Sequence, residues 1–180
     1  GREVQHSVGT ITSGPWRLAT HLWQQPEARG NLVLLHGLFD HTGLYDKLLA
    51  YGLSRQYNVL MFDLPGHGLS TGEPAVIKDF AAYGRAIGSV LGQVKLPQLP
   101  CVAMAQSTGC AALMDYARHY PWPFSHTVLL APLVRPAGWH RGDRSQIRVP
   151  RCGAVPRLQV ATAQNCDRAA SGTTSQTTPR

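Results

Sequence analysis

Four short runs, Asn31–Leu35, Val59–Phe62, Cys101–Met104 and Thr127–Leu130, are apolar almost without interruption. A run of this kind has no face to offer water, so it fits a strand buried on both sides. Between the runs the apolar period lengthens to that of a helix. Leu44, Leu48, Leu49 and Leu53 mark one helix at about 43–55, and Ile77, Phe80, Ala81, Ile87 and Leu91 mark another over Val76–Val94, with Asp79 near its start. A third covers Cys110–Tyr120. Strands separated by helices of this length need crossover connections, which lead to parallel pairing. The expected fold class is α/β, a doubly wound, mostly parallel sheet with helices on both faces. Two alternating strands precede it. One carries Val4, His6, Val8 and Thr10 and the other Trp16, Leu18, Thr20 and Leu22, joined by a turn at Ser13-Gly14-Pro15.

Charge argues against one class of partner. The 180 residues carry a net +7, but residues 1–142 hold 11 Lys+Arg against 8 Asp+Glu, while residues 143–180 hold 6 Arg against 2 Asp. More than half of the excess, +4 of +7, therefore sits in the last fifth of the chain, and Trp16, Trp23, Trp122 and Trp139 form no stacking stripe, so nucleic acid is not an expected partner. We place a domain at 1–142 and a basic, low-order extension at 143–180, where no period of 2 or 3.6 is sustained. A disordered tail accounts for that composition. Out-of-frame translation of a GC-rich gene accounts for it better, because the segment is rich in Arg and Ala and has no Lys. Cys101, Cys110, Cys152 and Cys166 have neither Cys-x-x-Cys nor metal-ligand spacing and read as thiols rather than a disulfide framework. No metal or cofactor is expected. The first residues contain no apolar signal segment and no run approaches a membrane span, which leads to a cytoplasmic expectation.

In parallel sheets of this kind, reacting groups belong at the carboxyl ends of strands. The polar and glycine-rich segments fall there: His36-Gly37, Gly66-His67-Gly68 and Gln106-Ser107. Ser107 stands in Ala105-Gln106-Ser107-Thr108-Gly109, between an apolar strand and a helix. A serine on so sharp a turn is held in strained backbone and lifted above the sheet edge. Residues two before and two after it, Ala105 and Gly109, must be small because strand and helix pass close together. The hydroxyl would attack an acyl carbonyl, and the oxyanion formed needs preplaced donors. The Thr108 backbone N–H, at the positive end of the following helix, supplies one.

Three segments in order, His36-Gly37-Leu38-Phe39-Asp40-His41-Thr42-Gly43-Leu44-Tyr45, Asp63-Leu64-Pro65-Gly66-His67-Gly68-Leu69-Ser70 and the serine turn, followed by Leu-Leu-Ala-Pro-Leu-Val, cover about residues 30–135. As a set they resemble the monoacylglycerol lipase and lysophospholipase branch of the α/β-hydrolases, the serine aminopeptidase S33 or Hydrolase-4 group. Ala105 departs from that pattern, which has glycine there. The resemblance implies a serine hydrolase of carboxylic esters working through a Ser107 acyl-enzyme. It implies the Leu38 backbone N–H as the second oxyanion donor, and small esters of acylglycerol or lysophospholipid type as partners, with transient contact to a lipid surface. His36, Gly37, Gln106, Asp63 and His67 are then supporting-loop residues. His36 and His67 read as turn-bracing imidazoles rather than bases, and Asp63 as a strand-end cap. His41 and Asp46 also fit a His-x4-Asp acyltransferase pattern, but the Tyr45 context matches the hydrolase better. Asp115 and His119, one helical turn apart, read as a solvated pair.

In the resembling family the triad acid and histidine follow the serine in that order. After Ser107 stand only His119, His126 and His140, with Asp143 and Asp167 as the acids beyond Asp115, and none lies in a matching motif. No triad acid or histidine is assigned. Two rivals to the esterase follow: an S33-type peptidase on the same core, and a catalytically incomplete fragment or non-enzymatic interaction protein. The sequence reads as a core incomplete after its sixth strand, C-terminally truncated or frameshifted. An exposed hydrophobic sixth strand would make the isolated chain poorly stable.

Overall fold

The computed structural model describes residues 3–133 and the backbone of a strand at Leu158–Ala161. The elements run β1 (Gln5–Ser13), β2 (Trp16–Gln24), β3 (Gly30–Leu35), α1 (Asp46–Ser54), β4 (Tyr57–Phe62), α2 (Ala81–Gln93), β5 (Cys101–Gln106), α3 (Thr108–His119), β6 (His126–Leu130) and β7 (Leu158–Ala161). They form one sheet in the order β1-β2-β4-β3-β5-β6-β7. The β1–β2 hairpin and the β2–β4 pair are antiparallel; every pairing from β4 through β7 is parallel.

Both faces of the sheet are covered. All six residues of β3 are buried. Val33 and Leu35, with Leu60 and Phe62 of β4, face a core shared with Ile87 and Val90 of α2 and Leu113 and Met114 of α3. Leu32 and Leu34, with Val59 and Met61, face the other way, onto Leu48, Leu49 and Leu53 of α1. The strict alternation along two adjacent all-apolar strands is the period of 2 expressed with apolar residues on both sides. β1, by contrast, is exposed along most of its length and forms one edge. Its hairpin turns at Gly14, whose φ of 56° suits the first central position of a two-residue loop ahead of Pro15.

Three expectations change at their boundaries. The stretch read as a helix at about 43–55 is a 3₁₀ turn, Thr42–Leu44, followed by α1. The stretch read as helix from Val76 begins at Ala81, because Ala75 takes a φ of 53° and the Asp79 carboxylate caps the Ala81 N–H at 3.1 Å. The sheet also does not stop at β6. β7 pairs beside it in parallel register, Thr127 opposite Leu158 and Leu130 opposite Ala161, so β6 is an inner strand. A four-residue strand is too short to leave a period in the sequence, which is why β7 was not expected. The boundary drawn at Gly142, with His140, Asp143, Cys152, Cys166 and Asp167, lies outside the described residues.

The chain leaves β3 toward β4 on one side and returns to β5 on the other. Crossovers on opposite sides of one strand open a crevice at the carboxyl ends of that strand and its neighbour. Here the neighbours are β3 and β5, with Leu35 opposite Ala105, so His36-Gly37-Leu38 and Gln106-Ser107 emerge side by side.

Candidate active site

Ser107 has φ 47° and ψ −113°, a backbone conformation that L-residues rarely adopt. The sequence explains how it is held. Its N–H donates to the Leu130 carbonyl at 3.0 Å, its carbonyl accepts from Cys110 at 3.0 Å and from Leu133 at 3.2 Å, and α3 begins at the next residue. Gly109 completes the turn. A Cβ there would lie 2.5 Å from the His36 carbonyl oxygen and 2.8 Å from that of Leu35, both main-chain atoms that cannot swing aside. The expected close passage at this position is therefore between the start of α3 and the end of β3. Ala105 is buried, and its carbonyl accepts the Cys110 thiol at 3.0 Å. Burial pushes that thiol up to about 11, so Cys110 is a neutral neighbour and not a rival nucleophile at neutral pH.

The facing loop is built on His36, which is 2% exposed. Its Nε2 accepts the Leu64 N–H at 2.9 Å, which places the proton on Nδ1, and Nδ1 donates to the Gly37 carbonyl at 2.7 Å. Desolvation holds the imidazole pKa below 6.5, so the ring is neutral and works as a clamp between the loops after β3 and β4. The clamp has a directional consequence. The Gly37 carbonyl and the Leu38 N–H share one planar trans peptide and point opposite ways, so fixing the carbonyl inward aims the Leu38 N–H outward. Neither the Leu38 nor the Thr108 N–H donates a hydrogen bond to any described residue. Gly37 itself lies flush on the serine turn, where an added Cβ would overlap Gln106 Oε1.

Asp63 does more than end a strand. Its carboxylate, 1% exposed, accepts the Thr42 N–H and the Leu69 N–H at 2.8 Å each, joining the loop after β3 to the glycine loop after β4. Gly68 has φ 51°, and a Cβ on it would run into that carboxylate. His67 is buried beneath, with Nδ1 2.9 Å from the Pro65 carbonyl and no partner for Nε2 among the described residues. Two residues absent from the sequence-derived site join it: Tyr45, whose hydroxyl touches Gly37, Asp40 and Gln106, and Asp40. Their one signal was membership of the same ten-residue motif.

The remaining candidates stand elsewhere. His41 is exposed and its Nδ1 accepts the Gly43 N–H, so it ends the loop rather than serving Asp46. Asp115 and His119 are 3.8 Å apart, but His119 closes α3, about 18 Å along the helix from the serine turn. His126 opens β6 opposite Val102, about 13 Å down the sheet from Gln106. Among the described residues no imidazole or carboxylate hydrogen-bonds the Ser107 hydroxyl, and no three His, Cys, Asp or Glu side chains cluster as a metal would need. No described helix is long and apolar enough to cross a membrane.

Comparison with known proteins agrees with this layout. The chain is 32% identical to the monoglyceride lipase of Rattus norvegicus over 107 residues, covering 57% of this chain and 35% of the relative. It is 27% identical to the monoacylglycerol lipase of Mycolicibacterium smegmatis over 133 residues, 72% of this chain and 47% of the relative. The chain thus spans less than half the length of these curated relatives. In structure it is similar to an aryl esterase from Burkholderia cenocepacia (TM-score 0.62, 22% identity, 72% of this chain and 48% of that one). It is also similar to a CIB-like hydrolase from Thermoplasma acidophilum (TM-score 0.62, 20% identity, 91% and 88% coverage). A family profile, Hydrolase_4, described as serine aminopeptidase S33, matches residues 26–174. By that match over most of its length, the chain belongs to the serine aminopeptidase S33 family of α/β-hydrolases.

Proposed function

We propose that the chain carries the acylating half of a serine carboxylic-ester hydrolase, with Ser107 as nucleophile and the Leu38 and Thr108 backbone N–H groups as oxyanion donors. The observation that carries this is the strained Ser107 turn set beside a loop whose next peptide is clamped outward. Ser107 Oγ attacks the ester carbonyl and passes its proton to water, which returns one to the departing alcohol, and the carbonyl oxygen becomes an oxyanion facing the two N–H groups. Collapse of the tetrahedral intermediate expels the alcohol and leaves an acyl-serine, which water then hydrolyses. Monoacylglycerols are the substrate class that the names of the two lipase relatives support, and lysophospholipids rest on the motif resemblance alone. Three exposed apolar side chains flank the same edge, Leu38 at 40%, Phe39 at 79% and Leu69 at 78%, and suit an acyl chain or transient contact with a lipid surface.

A second reading rests on a specific observation. With no imidazole on the Ser107 hydroxyl among the described residues, the described part acylates slowly and turns over poorly, as a catalytically incomplete member of the family would. A fluorophosphonate separates the readings. Covalent labelling of the full chain, lost in Ser107→Ala, supports a working nucleophile, and release of fatty acid from a monoacylglycerol then supports full turnover. Labelling without turnover favours the incomplete member. Absence of labelling in folded protein overturns the esterase reading, and cleavage of an aminoacyl anilide in preference to esters would move the assignment to a peptidase.

A further inference from the structure

We infer that Tyr45 is a positioning residue that ties the oxyanion loop to the serine turn, an inference resting on the ester-hydrolase reading of this site. Tyr45 stands between the 3₁₀ turn and α1, and its ring packs on the core face formed by Leu32, Leu34, Val59 and Met61. From that anchor its hydroxyl reaches three groups. It accepts the Gly37 N–H at 3.3 Å, donates to Asp40 Oδ2 at 2.9 Å, and lies 3.3 Å from a second acceptor, Gln106 Oε1. One hydroxyl carries one proton, and the shorter contact to the carboxylate claims it. The Tyr45 pKa is raised, by desolvation first and by the Asp40 bond next, so the proton stays in place across the physiological range.

The consequence follows from peptide planarity. His36 fixes the plane containing the Gly37 carbonyl and the Leu38 N–H, and Tyr45 fixes the preceding plane through the Gly37 N–H. With both planes pinned, the Leu38 N–H loses the freedom to rotate about Gly37, a residue that otherwise restrains its backbone least. Gln106 immediately precedes Ser107, and its side-chain Oε1 packs against Gly37 and stands 3.3 Å from the hydroxyl; with the proton given to Asp40 this is a packing contact, and it sets the spacing between nucleophile and donor. Tyr45 touches neither the ester nor the oxyanion, and its effect should be smaller than loss of a donor itself, which costs about 10²–10³-fold. Losing one neutral hydrogen bond corresponds to about 10-fold.

The test compares full-length wild type, Tyr45→Phe and Leu48→Ala, which loosens the same α1 packing without touching the hydroxyl. Two quantities are read: the kinetics of Ser107 phosphonylation by a fluorophosphonate, and amide hydrogen exchange at Gly37. The expected result for Tyr45→Phe is a maximal labelling rate about 10-fold lower, a half-saturating probe concentration within 2-fold of wild type, and Gly37 exchange at least about 10-fold faster. Leu48→Ala should label at the wild-type maximal rate even where it melts lower. Unchanged Gly37 exchange in Tyr45→Phe overturns the inference, as does an equal slowing of labelling in Leu48→Ala. If wild type is not labelled at all, the ester-hydrolase reading fails separately. Gly37 exchange then still decides whether Tyr45 holds the loop.

Discussion

The two ends of the β3–β4–β5 sheet are built on opposite rules. At the amino ends two buried asparagines are spent on structure. Asn58 donates to Asn31 Oδ1 at 3.0 Å and accepts from the Gln25 N–H at 3.1 Å, and Asn31 donates to the Pro97 carbonyl at 2.9 Å. Both asparagines are 2% exposed. At the carboxyl ends, equally buried side chains (His36 and Asp63) satisfy loop backbone, two other N–H groups have no partner among the described residues, and Ser107 is held at φ 47° and ψ −113°. The Ser107 conformation and two N–H groups without a partner among the described residues mark one end as a site, and the buried asparagine network marks the other as a foundation.

Breaking each end should have different signatures. The largest effect belongs to Ser107→Ala, which should abolish fluorophosphonate labelling and lower any ester hydrolysis by at least about 10³-fold, with little change in melting temperature. Next comes Gly109→Val. It drives side-chain atoms against the His36 and Leu35 carbonyls, and should cut the labelling rate by about 10²-fold and cost about 1–3 kcal/mol in denaturant titration. Asn58→Ala sharpens the contrast from the other end. It orphans the Gln25 N–H and the Asn31 side-chain carbonyl, so stability should fall by about 2 kcal/mol while the labelling rate stays within 2-fold. A pH series is gentler. Because the His36 pKa is lowered on folding, its contribution is complete above 6.5 and is lost as pH falls below that value, so melting temperature should decline on the acid side and His36→Gln should flatten the decline. Smallest is Arg85→Ala, which removes an exposed 2.8 Å pair with Asp79 and should move stability by no more than about 0.5 kcal/mol.

The foundation was the more legible end. Continuous apolar runs specify two-faced strands, and their alternation with helical periods specifies crossovers, so β3, β4, β5 and β6 were readable to within two residues. The serine turn was readable because it demands small residues at set distances, and Gly109 shows the steric reason. What escaped were features that depend on through-space partners. Asp63 looks like a strand cap until Thr42 and Leu69 are seen to converge on it. Tyr45 carries no local signature of reaching Gly37 and Gln106, since its role comes from a ring anchored in one layer and a hydroxyl arriving in another. β7 was invisible because four residues are too few to show a period.

The central claim is that one strained serine and two main-chain amides, without partners among the described residues, converge on a single point. A crystal structure of the full chain after fluorophosphonate treatment tests it directly. The account predicts phosphorus bonded to Ser107 Oγ with its phosphoryl oxygen about 2.7–3.1 Å from both the Leu38 and the Thr108 nitrogen. An adduct on another residue, or a phosphoryl oxygen turned to solvent away from either amide, would contradict it.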